Sequence, residues 1–303
     1  MKAFLFNIFI FFCMVNHAVA QDFTSKFEQI VQKMIDEPNW AWDFIRDMNA
    51  ENLSDSLIPL LKQYESFPNS NVQYNIYRSY LKYGMASADI AFKKQMMCHL
   101  LTACSCPDSI KFPHTCYQSI MFLRNFENSL FDQTMIDTIN ERVKKDNRYS
   151  LDYAYLSGRL YQYQMMPVFE ELLNKEKYEE GKYRWHIILS RLGHEQSIEI
   201  VKDSLQKEFI WDRVRRESTF TYIRQKPVVD ILFNDLESDE KESYQEQGME
   251  KPLVWPHAYK PLRILAKIVK DFPIQDENVS LEKLEIARAW AREHREDYEI
   301  IKE

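Results

Sequence analysis

The sequence predicts an all-α fold, and three observations carry that prediction. Only five glycines occur in 303 residues, where an average usage of roughly 7% would give about 21. β-rich folds, tight hairpins and phosphate-cradling loops all draw on glycine. Apolar residues recur at three- and four-residue spacings in Phe23, Phe27, Ile30, Val31, Met34 and Ile35, and again in Leu53, Leu57, Ile58, Leu60 and Leu61; this is the period of an amphipathic helix. No stretch bounded by turn residues alternates strictly between apolar and polar side chains, so no strand is predicted. With 45% apolar and 14% aromatic residues, the chain can bury a core, and disorder is excluded as its main state.

The elements follow in chain order. Lys2, the apolar run Ala3 to Val15 and the ending Ala18-Val19-Ala20 read as a secretory signal cleaved after Ala20. The run is about 13 residues, short of the roughly 20 that a membrane helix needs. Phe11-Phe12 ahead of Cys13 lack the small residues of a lipoprotein processing site. The expected destination is periplasmic or extracellular. Every later apolar stretch is interrupted by charge, so no integral membrane span is predicted. Acidic residues number 46 against 39 basic ones, with no basic stripe, which argues against nucleic acid as a partner.

Residues 21–303 read as a single α-helical domain, with irregular helices over 21–110, repeats over 111–240, and a loop with capping helices over 241–303. Helix breaks are expected at Glu37-Pro38-Asn39, Phe67-Pro68-Asn69, Cys106-Pro107-Asp108 and Phe272-Pro273, because proline ends a helix at or before its preceding residue. One helix is expected over Ala258–Asp271. A last one starts at Ser280, whose hydroxyl can cap it although Lys283 stands where a capping box has Glu or Gln.

The middle of the chain repeats itself. Gly158, Ser190 and Thr221 are 32 and 31 residues apart, as are Leu160, Leu192 and Ile223. The same shifts superpose Met166 on Ile198 and Val229, Val168 on Ile200 and Ile231, Phe169 on Val201 and Leu232, and Leu173 on Leu205 and Leu236. Each unit reads as a helix ending near the small residue, a short turn, and a second helix with an apolar stripe. One such pair buries its stripe only by stacking on its neighbours. The stretches Trp185-His186-Ile187-Ile188-Leu189-Ser190-Arg191-Leu192-Gly193 and Ser197-Ile198-Glu199-Ile200-Val201-Lys202-Asp203-Ser204-Leu205, with Val214-Arg215-Arg216 opening the next unit, resemble the HEAT-like repeats of α-solenoids in their short form. The resemblance covers about residues 150–240. It implies a superhelix of stacked antiparallel helix pairs, whose curved surface suits binding more than catalysis.

Candidate chemistry is sparse. Cys98, Cys104, Cys106 and Cys116 lie within nineteen residues, with His99 and His114 among them. In an exported protein this favours disulfides, with bonds from the 104–106 pair to Cys116 and back to Cys98. Zinc is disfavoured because no Cys-x-x-Cys knuckle is present, so no metal or other cofactor is predicted. The proline-stiffened segment from Pro252 to Pro261 offers Trp255, His257 and Tyr259 as binding residues for a sugar ring or peptide; the simpler reading is a strap over the core. Tyrosine stripes at Tyr74, Tyr77, Tyr80 and Tyr83, and at Tyr149, Tyr153, Tyr155, Tyr161 and Tyr163, read as core. The acidic run Glu237 to Glu242 reads as a solvated face. No Gly-x-Ser-x-Gly, His-Glu-x-x-His or glycine-rich nucleotide motif occurs, so no catalytic residue is assigned. The expectation is an exported scaffold for a protein or peptide. The alternatives are a glycan-acting helical enzyme or glycan binder using aromatic platforms and paired carboxylates, whose separation only the fold can set, and a metal-dependent role centred on Cys98–Cys116.

Overall fold

The computed structural model describes residues 23–37, 57–102, 113–145, 148–244, 253–275 and 278–302. The expected leader and its cleavage site lie outside them, as do Cys104 and Cys106. No helix among the described residues is long and apolar enough to cross a membrane. The chain divides into two compact units, Met1–Met135 and Ile136–Glu303, and both are built from helices in contact with their neighbours.

In the first unit, helix α1 (23–36) buries Phe27, Ile30, Val31 and Met34, one face at the helical period. Helix α2 (Ile58–Gln63) is short. Helix α3 (Ser70–Ala86) starts at Asn69, whose side-chain oxygen accepts from the backbone N–H groups of Asn71 and Val72 at 3.0 and 3.1 Å, satisfying two donors that the helix itself leaves open. It packs against α4 (Ile90–Thr102) and α5 (Pro113–Leu123). A Cβ on Gly84 of α3 would come within 2.8 Å of the Phe126 ring, so the helix backbone and that ring touch only because the residue is glycine.

The second unit takes in most of α6 (Gln133–Lys144), which buries Met135, Ile139 and Val143, and then three helix pairs. The first pair is α7 (Ser150–Arg159) with α8 (Met166–Lys175); the second is α9 (Glu179–Arg191) with α10 (Glu195–Lys207). In the third, the first helix is broken into α11 (Ile210–Arg213), a single 3-10 turn at Val214–Arg216 and α12 (Glu217–Ile223), followed by α13 (Lys226–Leu236). Pro167 and Pro227 sit in the first turns of α8 and α13, where a missing N–H costs nothing. First helices touch first helices, and α10 touches α13, so neighbouring pairs stack.

The repeat pattern predicts the burial well. Leu160, Leu192 and Ile223 are all buried at the ends of first helices, and Phe169, Val201 and Leu232 are all wholly buried on second helices. In α8 Leu172 is buried, while the repeat positions Met166, Val168 and Leu173 are only half-buried. Ile200 is exposed while its counterpart Ile231 is buried, because α13 is covered by α14 (Tyr259–Ile268). Helix α15 (Leu281–His294) adds Leu284, Ala287 and Ala291 to a core continuous from Ile187 to Tyr298. Ser280 caps it, accepting from the Lys283 N–H at 3.2 Å.

Two expectations need correcting. Strand β1 (Lys241–Tyr244) pairs antiparallel with β2 (Leu253–Pro256), Glu242 opposite Trp255, where a loop was expected. A polar four-residue strand leaves no apolar alternation to read, and Pro256 ends the ladder. Helix α14 stops at Ile268 instead of Asp271, because Val269 turns extended and bridges Ile300.

Candidate functional site

The two edges of the three-pair stack are built differently. At the turn edge, where each first helix hands over to its second, the backbone becomes left-handed at one repeat position: Tyr161 (φ 54°), Gly193 (φ 85°) and Arg224 (φ 51°). In the first two pairs the N–H groups of Gln162 and His194 donate back to the Ser157 and Leu189 carbonyls at 3.2 and 3.1 Å, the closing bond of a Schellman turn. A non-glycine residue in this region costs roughly 1–2 kcal/mol. Tyr161 and Arg224 meet that cost because their side chains are engaged. The buried Arg191 guanidinium lies 4.4 Å over the Tyr161 ring, and Arg224 donates to the carbonyls of Thr221 and Ile301 at 2.8 and 2.7 Å.

Arg191 also donates to the Tyr222 carbonyl. The Tyr222 hydroxyl in turn donates to the Tyr155 carbonyl at 2.8 Å, and the two rings stack at 3.7 Å. Gly158 makes room: a Cβ there would stand 2.4 Å from the Tyr222 hydroxyl oxygen. The third pair therefore reaches past the second to grip the first. A cleft of about 600 Å³ beside this edge is lined in part by Tyr161, Tyr163, Arg224, Asp297 and Glu299. Lys270, bonded to Glu299 at 2.8 Å, holds that carboxyl below its usual range, the opposite of what a proton-donating glycosidase acid requires.

The opposite edge, where one pair leads to the next, is open. Tyr149, Tyr178 and Phe209 each stand immediately before the first helix of a pair. Tyr178 is 77% and Phe209 83% exposed, while Tyr149 is half-buried with the Arg148 guanidinium 5.9 Å from its ring. Beside Tyr178 lies a depression of about 400 Å³ bordered in part by Arg148, Lys175, Lys177 and Glu176. The Glu176 carboxylate is folded back, accepting from the N–H groups of Lys177 and Tyr178 at 2.8 and 3.0 Å. Lys175 is shared with Glu171 at 3.1 Å.

A histidine cluster joins α8, α9 and α10. The Nδ1 of His194 accepts from the Ser197 backbone N–H at 3.3 Å, capping α10, which places its proton on Nε2, 3.3 Å from the Glu170 carboxylate. The Ser197 hydroxyl lies 2.8 Å from His194 Nδ1 and 3.0 Å from His186 Nδ1, so it donates to the first and accepts from the second. Burial, and then the neighbouring His194, push the His186 imidazole below its ordinary pKa. The chain of groups resembles a hydrolase triad, but Ser197 is wholly buried and no substrate carbonyl can reach its oxygen. A second polar cluster, in the first unit, has Glu65 accepting from the Tyr80 hydroxyl and bonded to His99 Nδ1, both at 2.7 Å. Burial, and then Glu65, raise the Tyr80 phenol pKa far above its usual range.

The residues singled out from sequence are placed as follows. Trp255 is half-buried against the core, edge-on to Tyr259 at 5.1 Å and 5.8 Å from the Arg263 guanidinium. Tyr259 is buried, and His257 lies 3.4 Å from Glu240. Trp255 and Tyr259 pack against each other and against the core. Cys116 is buried and disulfide-bonded, whereas Cys98 is a free, exposed thiol, so the expected bridge to Cys98 is not made. Cys98 stands on the exposed side of α4, close enough to Lys94 and Asp132 to feel their charges. Its neighbour His99 is turned to Glu65 and stacked on Tyr80 at 4.5 Å. Among the described residues no group of three metal-ligating side chains comes together. Sequence reasoning missed Tyr178 and Phe209, whose signal is position in the repeat, 31 residues apart, and found no motif around His186 and His194, which stand eight apart. No family model, curated protein or solved structure matches the chain.

Proposed function

We propose that this is an exported helical-repeat scaffold, a short HEAT-like α-solenoid that binds a protein or peptide along the edge marked by Tyr149, Tyr178 and Phe209. The observation that carries the reading is the exposure of Tyr178 and Phe209 at one repeat position. A buried stack has no packing use for them, and exposed aromatics in register mark an interaction surface. The test is a photo-crosslinking side chain placed at Tyr178 in the native compartment, with the same group at the exposed Ile286 of α15 as the control. A discrete partner captured at 178 and not at 286 is the expected result. Equal capture at both positions, or none at either, removes the reading.

A second reading has one observation in its favour. The cleft of about 600 Å³ sets Tyr161 and Tyr163 beside two carboxylates, a lining that fits a sugar ring. Glycan binding that is lost in Tyr163→Ala would support it.

A further inference from the structure

We infer that His186, Ser197 and His194 form a proton relay: in acid a proton enters at His186 and the charge comes to rest on His194, turning the outer ring nitrogen of His186 from a hydrogen-bond acceptor into a donor. The device stands apart from the scaffold reading and does not depend on it.

The hydrogens of the cluster are ordered by its geometry. Ser197 is wholly buried, with an imidazole on either side of its hydroxyl, His194 Nδ1 at 2.8 Å and His186 Nδ1 at 3.0 Å. A hydroxyl has one hydrogen to give, so one ring receives it and the other must supply an N–H. His194 Nδ1 also faces the Ser197 backbone N–H at 3.3 Å and is therefore the ring that accepts; its own hydrogen is on Nε2, 3.3 Å from Glu170. His186 then carries its hydrogen on Nδ1 and a lone pair on Nε2. Both rings line a depression of about 580 Å³. With Nδ1 turned to Ser197, the Nε2 of His186 is turned outward, and no protein group among the described residues is bonded to it. It is the basic nitrogen that water can reach, since His194 Nδ1 is covered by two donors.

A proton taken up there is passed on. As His186 Nε2 gains a hydrogen, the hydrogen on its Nδ1 moves to the Ser197 oxygen, and the Ser197 hydrogen moves to His194 Nδ1. One proton has entered, Ser197 has gained one and lost one, and His186 is neutral again with its hydrogen on the other nitrogen. The hydroxyl now donates to His186 and accepts from His194. Burial, and then the neighbouring His194, hold the His186 imidazole below its ordinary pKa, which disfavours leaving the charge there. On His194 the charge lies opposite Glu170, the one carboxylate in ion-pair contact with either ring among the described residues. The loss is the long bond from the Ser197 N–H, at 3.3 Å.

Other charges around the pair are committed elsewhere. On α8, Glu171 holds Lys175 at 3.1 Å. On α9, Lys182, one turn before His186, holds Glu179 at 2.8 Å. On α10, Glu199 holds Lys202 at 3.0 Å, and Glu195 is exposed. Of the remaining helices packed on these two, α7 directs Asp152 to Arg184 at 3.2 Å, α12 directs Glu217 to Lys267 at 2.8 Å, and α13 directs Asp235 to Arg213 at 2.6 Å and Asp230 to Tyr298 at 3.0 Å. Glu170 thus decides where the charge settles.

The test is NMR of the mature chain carrying isotopically labelled histidine, reading the ring nitrogens from about pH 8 to about pH 4.5, with His186→Asn and His194→Asn assigning the signals. At the high end His186 should carry its hydrogen on Nδ1 and His194 on Nε2. On acidification His194 becomes imidazolium while His186 moves its hydrogen to Nε2 and stays neutral, both with one midpoint, as coupled sites do. Glu170→Gln lowers that midpoint by about one pH unit. Ser197→Ala, verified as folded by thermal unfolding at the high end, leaves His194 titrating without a tautomer change at His186. Imidazolium appearing first on His186, a His186 tautomer that never changes, a midpoint unmoved by Glu170→Gln, or an undiminished coupled change in folded Ser197→Ala each overturns the relay. Should Ser197→Ala fail to fold, the order of protonation in the unaltered chain and the Glu170→Gln shift still decide. None of these readouts involves a partner, so the result is independent of what the crosslinker at Tyr178 captures.

Discussion

The turn edge and the open edge of the three-pair stack share one repeat and put it to opposite uses. At the turn edge the repeated position is a left-handed residue, whose side chain lies against Arg191 at Tyr161 and is bonded to the Thr221 and Ile301 carbonyls at Arg224. At the open edge it is an aromatic ring standing in water. Periodicity alone therefore does not distinguish a structural position from a recognition position; the surroundings of the side chain do. A position whose side chain is enclosed by other pairs carries stability, and one that nothing encloses is free to serve a partner.

Substitutions at the two edges should separate widely. Arg191→Ala removes a buried side chain stacked on Tyr161 and bonded to Tyr222, and should lower the unfolding free energy by about 3 kcal/mol in urea titrations; a loss under about 0.5 kcal/mol would erase the contrast. Gly158→Ala should cost about 1–3 kcal/mol by overpacking, and Tyr222→Phe in the same chain should restore part of it, because the clash is with the hydroxyl. Strictly additive losses in the double-mutant cycle would show that the two residues do not meet. The His186 cluster should give the second unit a pH dependence. His186 has a folded pKa below its ordinary 6.5, so below that pH the unfolded chain takes up a proton that the folded one resists. Stability is then full above about 6.5 and falls toward the depressed value, by at most about 1.4 kcal/mol per pH unit. His186→Asn should flatten that slope in melting curves, with Glu170, His194 and Lys182 left in place around the same depression. Gly193→Ala meets open space and should cost only the backbone strain of about 1 kcal/mol. Tyr178→Ser and Phe209→Ser should change stability by less than about 0.5 kcal/mol while affecting partner binding.

Much of the stack was legible in the sequence, because buried positions are selected for apolar bulk. Leu160, Leu192 and Ile223 announce themselves by type and spacing, as do Phe169, Val201 and Leu232. The left-handed turn position was not legible. Only Gly193 carries the expected residue, and Tyr161 and Arg224 hold the same conformation through contacts made far along the chain. The aromatic edge was missed for another reason. Tyr149 falls in the same tyrosine-rich stretch as the buried Tyr153, and a helical period reports a face without saying what covers it. Ile200 and Ile231 make the same point, being equivalent in pattern and opposite in burial because only α13 lies under α14.

The bond from Tyr222 to Tyr155 has one more implication. Ordinary repeat arrays tolerate duplication or excision of a unit because each unit meets only its immediate neighbours. Here a side chain bypasses the middle pair, so inserting a copy would strand Tyr222 away from its acceptor, and deleting one would drive the two rings into each other. A single hydroxyl thus makes the spacing of the first and third pairs depend on there being one pair between them.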